Sequence, residues 1–347
     1  MKSPKPRPTD GSDRPVGVRD VARLAGVSLG TVSNVLNNSA SVGPEIRQRV
    51  ENAMQTLGFV PSRAAGQLRS RKSGLIGVVV PDVGNPFWAK VIRGVETVVD
   101  AAKLTMVVGS TRQDDARQRH LLHVLDSQGV DGLIIAPIVA PNGDLAPFEK
   151  RRFGVVTLER ETNVSTSAWV SLDNVEGARL AMAHLLAQGH ERIALVNGSL
   201  SVSWCAERRE GAALAVRQHG LSPEEVLVDV EVPDLTVDEG TKAMQRLFAT
   251  ERVTAVMCVN DMLALGVLLE LQARHIKVPD EMALVGYDDA DFAPALNPPL
   301  TTVHQPAFLM GTAAAKLLIQ KPKQRHGEHL SFEPRLVVRG SSVVMES

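Results

Sequence analysis

The stretch VRDVARLAGVSLGTVSNVLN, residues Val18–Asn37, combines helical apolar spacing with a glycine in its middle. Before Gly26 the apolar residues recur at i, i+3, i+4 and i+7, the spacing of one helix face; they are Val18, Val21, Ala22 and Ala25. After Gly26, Ser28 is a suitable N-cap for a second helix. The apolar positions of this second helix are Val32, Val35 and Leu36. Gly26 therefore predicts a tight turn between two short helices.

A third amphipathic helix is predicted from Pro44, which suits a first helical turn, to Gly58, which suits a helix end. Its apolar positions are Ile46, Val50, Ala53, Met54 and Leu57. Three short helices around one small core, with a glycine turn between the first two, predict a small all-α helix-turn-helix domain.

The charge of the chain is unevenly distributed, although its net value is only −1. Residues 1–72 carry 12 Lys and Arg against 5 Asp and Glu, which gives +7, and the remainder carries 26 against 34, which gives −8. A basic segment joined to an acidic body is typical of a nucleic-acid-binding module attached to a domain of another kind.

The composition limits the other classes of protein. The 347 residues are enough for two or more cores. The two cysteines, Cys205 and Cys258, show no CxxC spacing, so we expect a reduced compartment, no metal and no cofactor. The opening residues lack the apolar segment of a secretion signal, and no apolar run is long enough to span a membrane, so we expect a cytoplasmic protein.

From Leu75 onward, apolar strand-like runs alternate with amphipathic helical segments, in two series. The runs are LIGVVV, TMVVGS, GLIIAP and GVVTLE, then RIALVNG, AVMCVN and MALVGYDD. This alternation predicts an α/β body of two doubly wound parallel-sheet lobes. We expect a disordered tail at 1–16, the helix-turn-helix domain at 17–61, a hinge helix or linker at 62–73 and the body at 74–347. Within the body we expect lobe 1 at about 74–168 and 298–325, and lobe 2 at about 169–297 and 326–347.

Ligands of open parallel sheets bind beyond the carboxyl ends of the strands. The residues that follow each predicted strand are therefore the candidates for a binding site. Neither phosphate-binding glycine motif follows a strand, and no G-x-S-x-G elbow is present, which argues against a dehydrogenase, a kinase or a hydrolase.

Several motifs in order resemble the LacI/GalR family of transcriptional regulators. They are VRDVARLAGVSLGTVSNVLN, PEIRQRVENAMQTLGFVPSRAAGQLRSRKSGLIGVVVPDVGNPFW, VNDMLALG, MALVGYDD and PPLTTVHQP. The resemblance implies a DNA-binding head, a hinge helix and a body like a periplasmic binding protein. It implies a homodimer that binds a pseudo-palindromic operator in double-stranded DNA and is controlled by a small effector between the lobes, most readily a sugar or sugar derivative, with a purine or nucleoside as the alternative.

The resemblance places the DNA-binding residues in the second helix and the hinge; they are Ser28, Leu29, Gly30, Thr31, Ser33, Asn34, Arg63, Ala65 and Leu68. Leu29 and Gly30 depart from the larger polar residues common in relatives, and Asn34 from arginine. Leu29 can offer only apolar contact, and Gly30 can allow a close approach to the duplex at a cost in helix stability. The alternative for Gly30 is that it is merely tolerated at a helix start.

The resemblance places the effector-binding residues in the cleft of the body; they are Phe87, Trp88, Glu159, Trp204, Arg208, Asn260, Asp288 and Gln305. Glu159 stands where relatives often carry aspartate. Asp261 and Asp289 have the alternative role of capping helices. The competing functions are a cytoplasmic sugar-binding protein and an α/β enzyme without a DNA role.

Overall fold

The computed structural model describes residues 16–36, 41–59, 73–138, 143–160, 168–320 and 327–343. The chain forms two compact units that divide between Ser73 and Gly74, here called the head and the body. The expected tail, up to residue 15, and the expected hinge at 62–73, up to residue 72, lie outside the described residues, as do residues 60–61 of the expected helix-turn-helix domain. The predicted hinge contacts Arg63, Ala65 and Leu68 therefore stay predictions.

The described part of the head contains three helices: α1 (Val18–Ala25), α2 (Leu29–Leu36) and α3 (Pro44–Leu57). Val21, Val32 and Val50 contribute one side chain from each helix to a common core and are fully buried. The predicted helix-turn-helix is confirmed. Ile46 differs from the prediction, because its side chain is 37% exposed and lies outside this core.

The turn between α1 and α2 depends on Gly26, which has a left-handed backbone with φ of 63°. This conformation suits glycine, which has no Cβ to clash with the following carbonyl. The Arg49 guanidinium on α3 donates to the carbonyl oxygens of Ala25 and Gly26. Ser28 then caps α2, because its Oγ accepts from the Thr31 N–H at 3.1 Å. Both sequence predictions, the turn and the cap, are confirmed.

The strands of the first sheet of the body are β1 (Leu75–Val80), β2 (Thr105–Ser110), β3 (Gly132–Ile135), β4 (Gly154–Leu158), β5 (Ala168–Leu172) and β11 (His329–Phe332). They lie in the order β11-β5-β4-β3-β1-β2, all of them parallel. The central strands β1, β3 and β4 are apolar runs covered on both faces, as is typical of parallel sheets, whereas the edge strands β2 and β11 are partly exposed.

The strands of the second sheet are β6 (Ile193–Asn197), β7 (Leu227–Glu231), β8 (Ala255–Cys258), β9 (Ala283–Asp288), β10 (Thr301–His304) and β12 (Arg335–Val337). They lie in the order β12-β10-β9-β8-β6-β7, and among these strands only the edge strand β12 is antiparallel. Two doubly wound lobes are confirmed.

Helices cover both sheets. The described helices of the body are α4 (Pro86–Ala101), α5 (Asp115–Ser127), α6 (Ala146–Glu149), α7 (Asn174–Ala187), α8 (Ser203–Gln218), α9 (Pro223–Val226), α10 (Val237–Thr250), α11 (Asp261–Ala273) and α12 (Ala307–Ile319), with a 3₁₀ turn at Ala293–Ala295. On the first lobe α4 packs against α12, and on the second α7 packs against α8 and α10 against α11.

The expected lobe boundaries need correction. Strand β5 belongs to the first sheet, because Val156 of β4 pairs with Ala168, and β11 then pairs with β5. Strand β10 belongs to the second sheet, because Thr301 pairs with Val285 of β9. Among the described residues the chain crosses between the lobes after Leu172, after His304 and after Phe332.

Candidate ligand cleft and nucleic-acid interface

One face of α2 is free of the packing inside the head. Ser28, Gly30 and Asn34 are exposed, and the Leu29 side chain is 47% exposed. Thr31 and Ser33 are half-buried, and the Thr31 hydroxyl lies 2.9 Å from Ser28 Oγ at the cap. The predicted base-reading residues thus lie together on a solvent-facing surface of a helix.

The space around Gly30 shows whether packing inside the head requires a glycine at this position of α2. A Cβ built there would meet nothing closer than Ser28 Oγ, at 3.6 Å, which is ordinary van der Waals contact. The packing of the head therefore does not require a glycine at this position. Either a partner outside the head, such as DNA, requires the glycine, or the glycine is merely tolerated at the helix start.

The body contains a cavity between its two lobes, with about 490 Å³ of empty space including solvent at its mouth. All of the predicted effector-binding residues except Gln305 line it. They follow the carboxyl ends of strands from both sheets, where open parallel sheets bind ligands. Other lining residues are Pro81, Asp82, Asn85, Gln113 and Leu235.

Aromatic side chains from both lobes form one wall of the cavity. Asn85 caps α4 by accepting from the Phe87 N–H at 2.8 Å, which places Phe87 and Trp88 in the first helical turn. Trp88 lies edge-on to Phe87, with ring centroids 4.8 Å apart, and edge-on to Trp204 of the second lobe at 6.3 Å. Aromatic walls of this kind suit a flat or ring-shaped ligand.

Arg208 reaches the cavity from α8 with only 5% of its surface exposed. Its Nε donates to Asn174 Oδ1 at 3.0 Å, and its Nη1 donates to the Val259 carbonyl oxygen. The guanidinium stacks over the Tyr287 ring at 3.7 Å. The side chain is therefore held in place before any ligand arrives.

Glu159 lies directly after β4, on backbone with φ of 66°. Its Oε2 accepts from Asn174 Nδ2 at 2.8 Å, whereas its buried Oε1 has no hydrogen-bond partner. Burial raises the pKa of Glu159 to about 7, against the opposing effects of Asn174 and of the Arg208 charge. The carboxyl group thus titrates near neutral pH.

Asp288 ends β9 and is only 6% exposed, with φ of 120°. Its Oδ1 accepts from Gln305 Nε2 at 2.6 Å, and burial raises its pKa against the lowering effect of Arg208. Gln305 is not a lining residue: it lies behind Asp288 and orients that carboxylate. In this structure Gln305 therefore reaches the cleft only through Asp288, and its contact with an effector stays a prediction.

Asn260 lines the cavity, but both polar atoms of its side-chain amide already form hydrogen bonds within the protein. Its Oδ1 accepts from Leu263 N–H and caps α11, and its Nδ2 donates to the Leu235 carbonyl oxygen at 3.0 Å. Asp261, the proposed cap, instead accepts from Ala290 N–H and from the Thr302 hydroxyl. The capping alternative for Asp261 was wrong, because the helix begins one residue earlier than that role requires.

Asp289 also does not cap a helix. Its Oδ2 pairs with His304 Nδ1 at 2.9 Å and its Oδ1 with Arg339 Nη2 at 2.7 Å. These contacts lower the pKa of Asp289 against the opposing effect of its burial. Asp289 therefore links the end of β9 to the end of β10 and to the segment after β12, beside the cleft.

Polar contacts also join the lobes across the cleft. Lys90 Nζ on α4 lies 2.8 Å from Asp291 Oδ1, and Gln113 Nε2 donates to Asp234 Oδ1 at 3.2 Å. Burial, with the Asp82 charge on the other lobe next in effect, raises the pKa of Asp234. The two lobes are thus joined by at least two polar contacts beside the cleft.

The predicted set of effector-binding residues lacked several residues of the site. Pro81, Asp82 and Asn85 lie between β1 and the predicted Phe87 and Trp88, whereas Gln113, Asn174 and Leu235 come from other parts of the chain. Gln113 follows β2, so the rule that selects residues after strands would have found it. Leu235 follows β7, whose alternating pattern was not read as a strand. Asn174 carries no local signal, because its role as a bridge between Glu159 and Arg208 exists only in the folded protein.

Within the described ranges, no helix is both long and apolar enough to cross a membrane. In the same residues, no group of three or more His, Cys, Asp or Glu side chains is arranged to hold a metal ion.

Comparisons with known proteins agree with this architecture. Residues 18–62 match the bacterial regulatory proteins of the lacI family, and residues 182–342 match the periplasmic binding protein-like domain. The regulator GalS of Salmonella typhimurium is 35% identical over 88% of this chain and 89% of its own length. The repressor PurR of Aliivibrio salmonicida is 31% identical over 93% and 98%.

A solved structure of the lac repressor dimer, bound to operator and the anti-inducer ONPF, is also similar. It superimposes with a TM-score of 0.79 at 28% identity, covering 95% of this chain and all of that one. These relatives are regulators rather than enzymes. The chain therefore belongs to the LacI family of bacterial DNA-binding transcriptional regulators.

Proposed function

We propose that this protein is a repressor that binds a pseudo-palindromic operator as a homodimer and is controlled by a small effector in the cleft. The observation that carries the proposal is the combination, in one chain, of the exposed α2 face with a buried, aromatic-walled cavity between two lobes. A ligand can change DNA binding only if it has different affinities for two states of the protein. A cavity formed by both lobes would allow this, because a ligand that contacts both lobes can favour one arrangement of them over another.

The first lobe offers a surface for the dimer. Edge strand β2 pairs with β1 on one side, and its Val107 and Val108 are 38% and 39% exposed. Exposed apolar edge strands are otherwise protected in soluble proteins. On the same lobe Phe308 and Leu309 of α12 are 42% and 55% exposed. A second copy of the chain would cover such apolar surface.

For DNA reading we propose the α2 face. Leu29 would contact a thymine methyl group, Gly30 would allow close approach, and Asn34 would pair with adenine N6 and N7. Ser28, Thr31 and Ser33 would contact phosphates or the neighbouring bases. In the hinge, Leu68 would wedge between base pairs, with Ala65 beside it and Arg63 on phosphate. The compartment we propose is the cytoplasm, because the operator DNA lies there.

The effector we propose is a sugar or a sugar derivative, since the two tryptophans and several hydrogen-bonding side chains suit a polyhydroxylated ring. A purine or nucleoside remains the second candidate, because a base would also stack on Trp88.

A selection from randomised DNA tests the proposal. The full-length protein should enrich two inverted half-sites, and sedimentation should show a dimer. Binding to the enriched site should weaken steeply with salt, because phosphate contacts release counterions. Enrichment of no sequence, or tight binding of a single half-site by a monomer, would overturn the proposal.

A further inference from the structure

In the head, Arg49 of α3 reaches across to the end of α1. Between these two helices lies a groove with about 460 Å³ of empty space including solvent at its mouth. Its lining residues are Leu24, Ala25, Arg49, Asn52, Ala53 and Thr56. Arg49 Nη2 donates to the carbonyl oxygen of Ala25 and, at 3.2 Å, to that of Gly26. A side chain of α3 thus holds the turn that leads into α2.

This contact supplies hydrogen bonds that the glycine turn does not. The last four carbonyl oxygens of a helix have no partner inside the helix. The turn satisfies two of them, because Val27 N–H donates to Ala22 at 3.0 Å and Gly26 N–H donates to Arg23 at 3.3 Å. Arg49 donates to the carbonyl of Ala25, the last residue of α1, where a positive charge also suits the helix dipole.

The orientation of α2 depends strongly on the contacts at its start. The helix has eight residues, of which Val32 and Val35 are buried. A helix of this length is not stable in water without tertiary contacts. Its first hydrogen bonds are those of the Ser28 cap, two residues after Gly26. Arg49 therefore acts on the chain immediately before it enters α2.

Arg49 is itself exposed, so its hydrogen bonds contribute little to the free energy of unfolding. An exposed cation of a DNA-binding head has the alternative role of contacting phosphate, which would add affinity for DNA of any sequence. In the structure, however, the guanidinium is directed at the carbonyl oxygens of the turn. This geometry favours an effect on the direction of α2.

We propose that Arg49 is a positioning residue for DNA reading, which holds the turn between α1 and α2 and so sets the direction in which α2 presents Asn34 to the bases. The proposal rests on the DNA-binding function proposed above. It adds a residue that acts on sequence reading through α2 without touching a base.

Arg49→Met tests the proposal in the full-length protein, because methionine keeps an unbranched apolar stem and removes the donors. Affinity is measured over a range of salt for the site enriched in the DNA selection and for a scrambled duplex of equal length. The ratio of the two affinities should fall about fivefold, because a redirected α2 weakens base contacts that only the enriched site offers. The salt dependence on the scrambled duplex should stay unchanged.

A phosphate contact by Arg49 would give a different pattern. The affinities for both duplexes would fall alike, and the slope of log affinity against log salt would shrink by about 0.9. That result, or an unchanged ratio, would overturn the proposal. Arg23→Met is the matched control, since it removes a cation whose side chain is 79% exposed in the last turn of α1. An equal fall of the ratio in this control would also overturn the proposal.

Hydrogen exchange without DNA tests whether Arg49 acts through the turn. In Arg49→Met the amides of α2 should exchange faster than in the wild type, while those of α3 should not change. Unchanged exchange in α2 would contradict the proposed route.

Arg49→Lys covers the case in which the methionine variant does not fold. Lysine keeps the charge and a donor on a shorter side chain without the planar fork. The affinity ratio should fall, but by less than in Arg49→Met, and a ratio equal to that of the wild type would overturn the proposal.

The DNA selection with the wild type keeps the two proposals distinguishable. If the wild type enriches an operator and the Arg49 variants keep its affinity ratio, the role of Arg49 fails and the proposed function stands. If the wild type enriches no sequence, the proposed function fails, and the role of Arg49 fails with it.

Discussion

The α2 face and the cleft hold their functional residues in opposite ways. On α2, Leu29, Gly30 and Asn34 are exposed, and no packing inside the head depends on them. In the cleft, Arg208 and Glu159 are buried and share the Asn174 amide as a hydrogen-bond partner. Substitutions on α2 should therefore change which DNA sequence is read without lowering stability, whereas substitutions in the cleft should change both effector binding and stability.

The largest effect should come from Arg208→Ala. It removes the single cation of the cavity lining and leaves Glu159 and Asp288 buried without it. Breaking a buried charge arrangement costs about 3–5 kcal/mol. We expect the free energy of unfolding of the body to fall by about this amount, measured by calorimetry, with loss of effector binding.

Arg209→Ala is the matched control for this substitution. Arg209 is the next residue of α8, and it pairs with Asp229 at 2.7 Å on a partly exposed surface. Exposed pairs of this kind contribute less than about 1 kcal/mol. If the two variants lost equal free energy of unfolding, the buried contacts of Arg208 would contribute no more to stability than an exposed ion pair, which would contradict the account of the cleft.

A smaller effect should appear in the pH dependence of stability. Because the pKa of Glu159 is raised in the folded state to about 7, the folded protein binds more protons than the unfolded one between pH 4.5 and pH 7. Stability from this residue therefore falls as pH rises through that window. Glu159→Gln should match the wild type near pH 5 and exceed it at pH 8 by up to about 3 kcal/mol.

Urea unfolding at several pH values measures this difference. The charged groups that face Glu159 are Arg208 and Glu207 from α8, and Tyr287 lies nearby on β9. They are unchanged in the variant, so subtracting the two profiles isolates Glu159. If the free energy of unfolding changed with pH in the same way in wild type and variant, the pKa of Glu159 would not be raised in the folded protein.

The smallest effect on stability should be that of Gly30→Ala. The added methyl group meets only Ser28 Oγ at 3.6 Å, and Gly30 lies in the first turn of α2, so the substitution should stabilise the head by less than about 1 kcal/mol. If Gly30 allows close approach to DNA, operator affinity should nevertheless fall. Gly43→Ala, whose added Cβ has no atom within 4 Å, is the control. Unchanged operator affinity would mean that Gly30 is merely tolerated.

Local signals in the sequence predicted much of this architecture. Gly26, Ser28 and the apolar run of β1 each determine a turn, a cap or a strand through their own chemistry. Membership of a lobe was not predictable, because β5 and β10 look alike locally and only the hydrogen-bond ladder assigns them. Likewise, no local pattern distinguishes Gln305, which orients Asp288, from a side chain that lines the cavity.

The most direct test of the account is a repeat of the DNA selection with Asn34→Arg. Asn34 lies four residues after Gly30 on the exposed face of α2, one helical turn on. Asparagine favours adenine and arginine favours guanine. The variant should enrich the wild-type operator with one symmetric base pair changed in each half-site. Recovery of the same sites by both proteins would contradict base reading by α2.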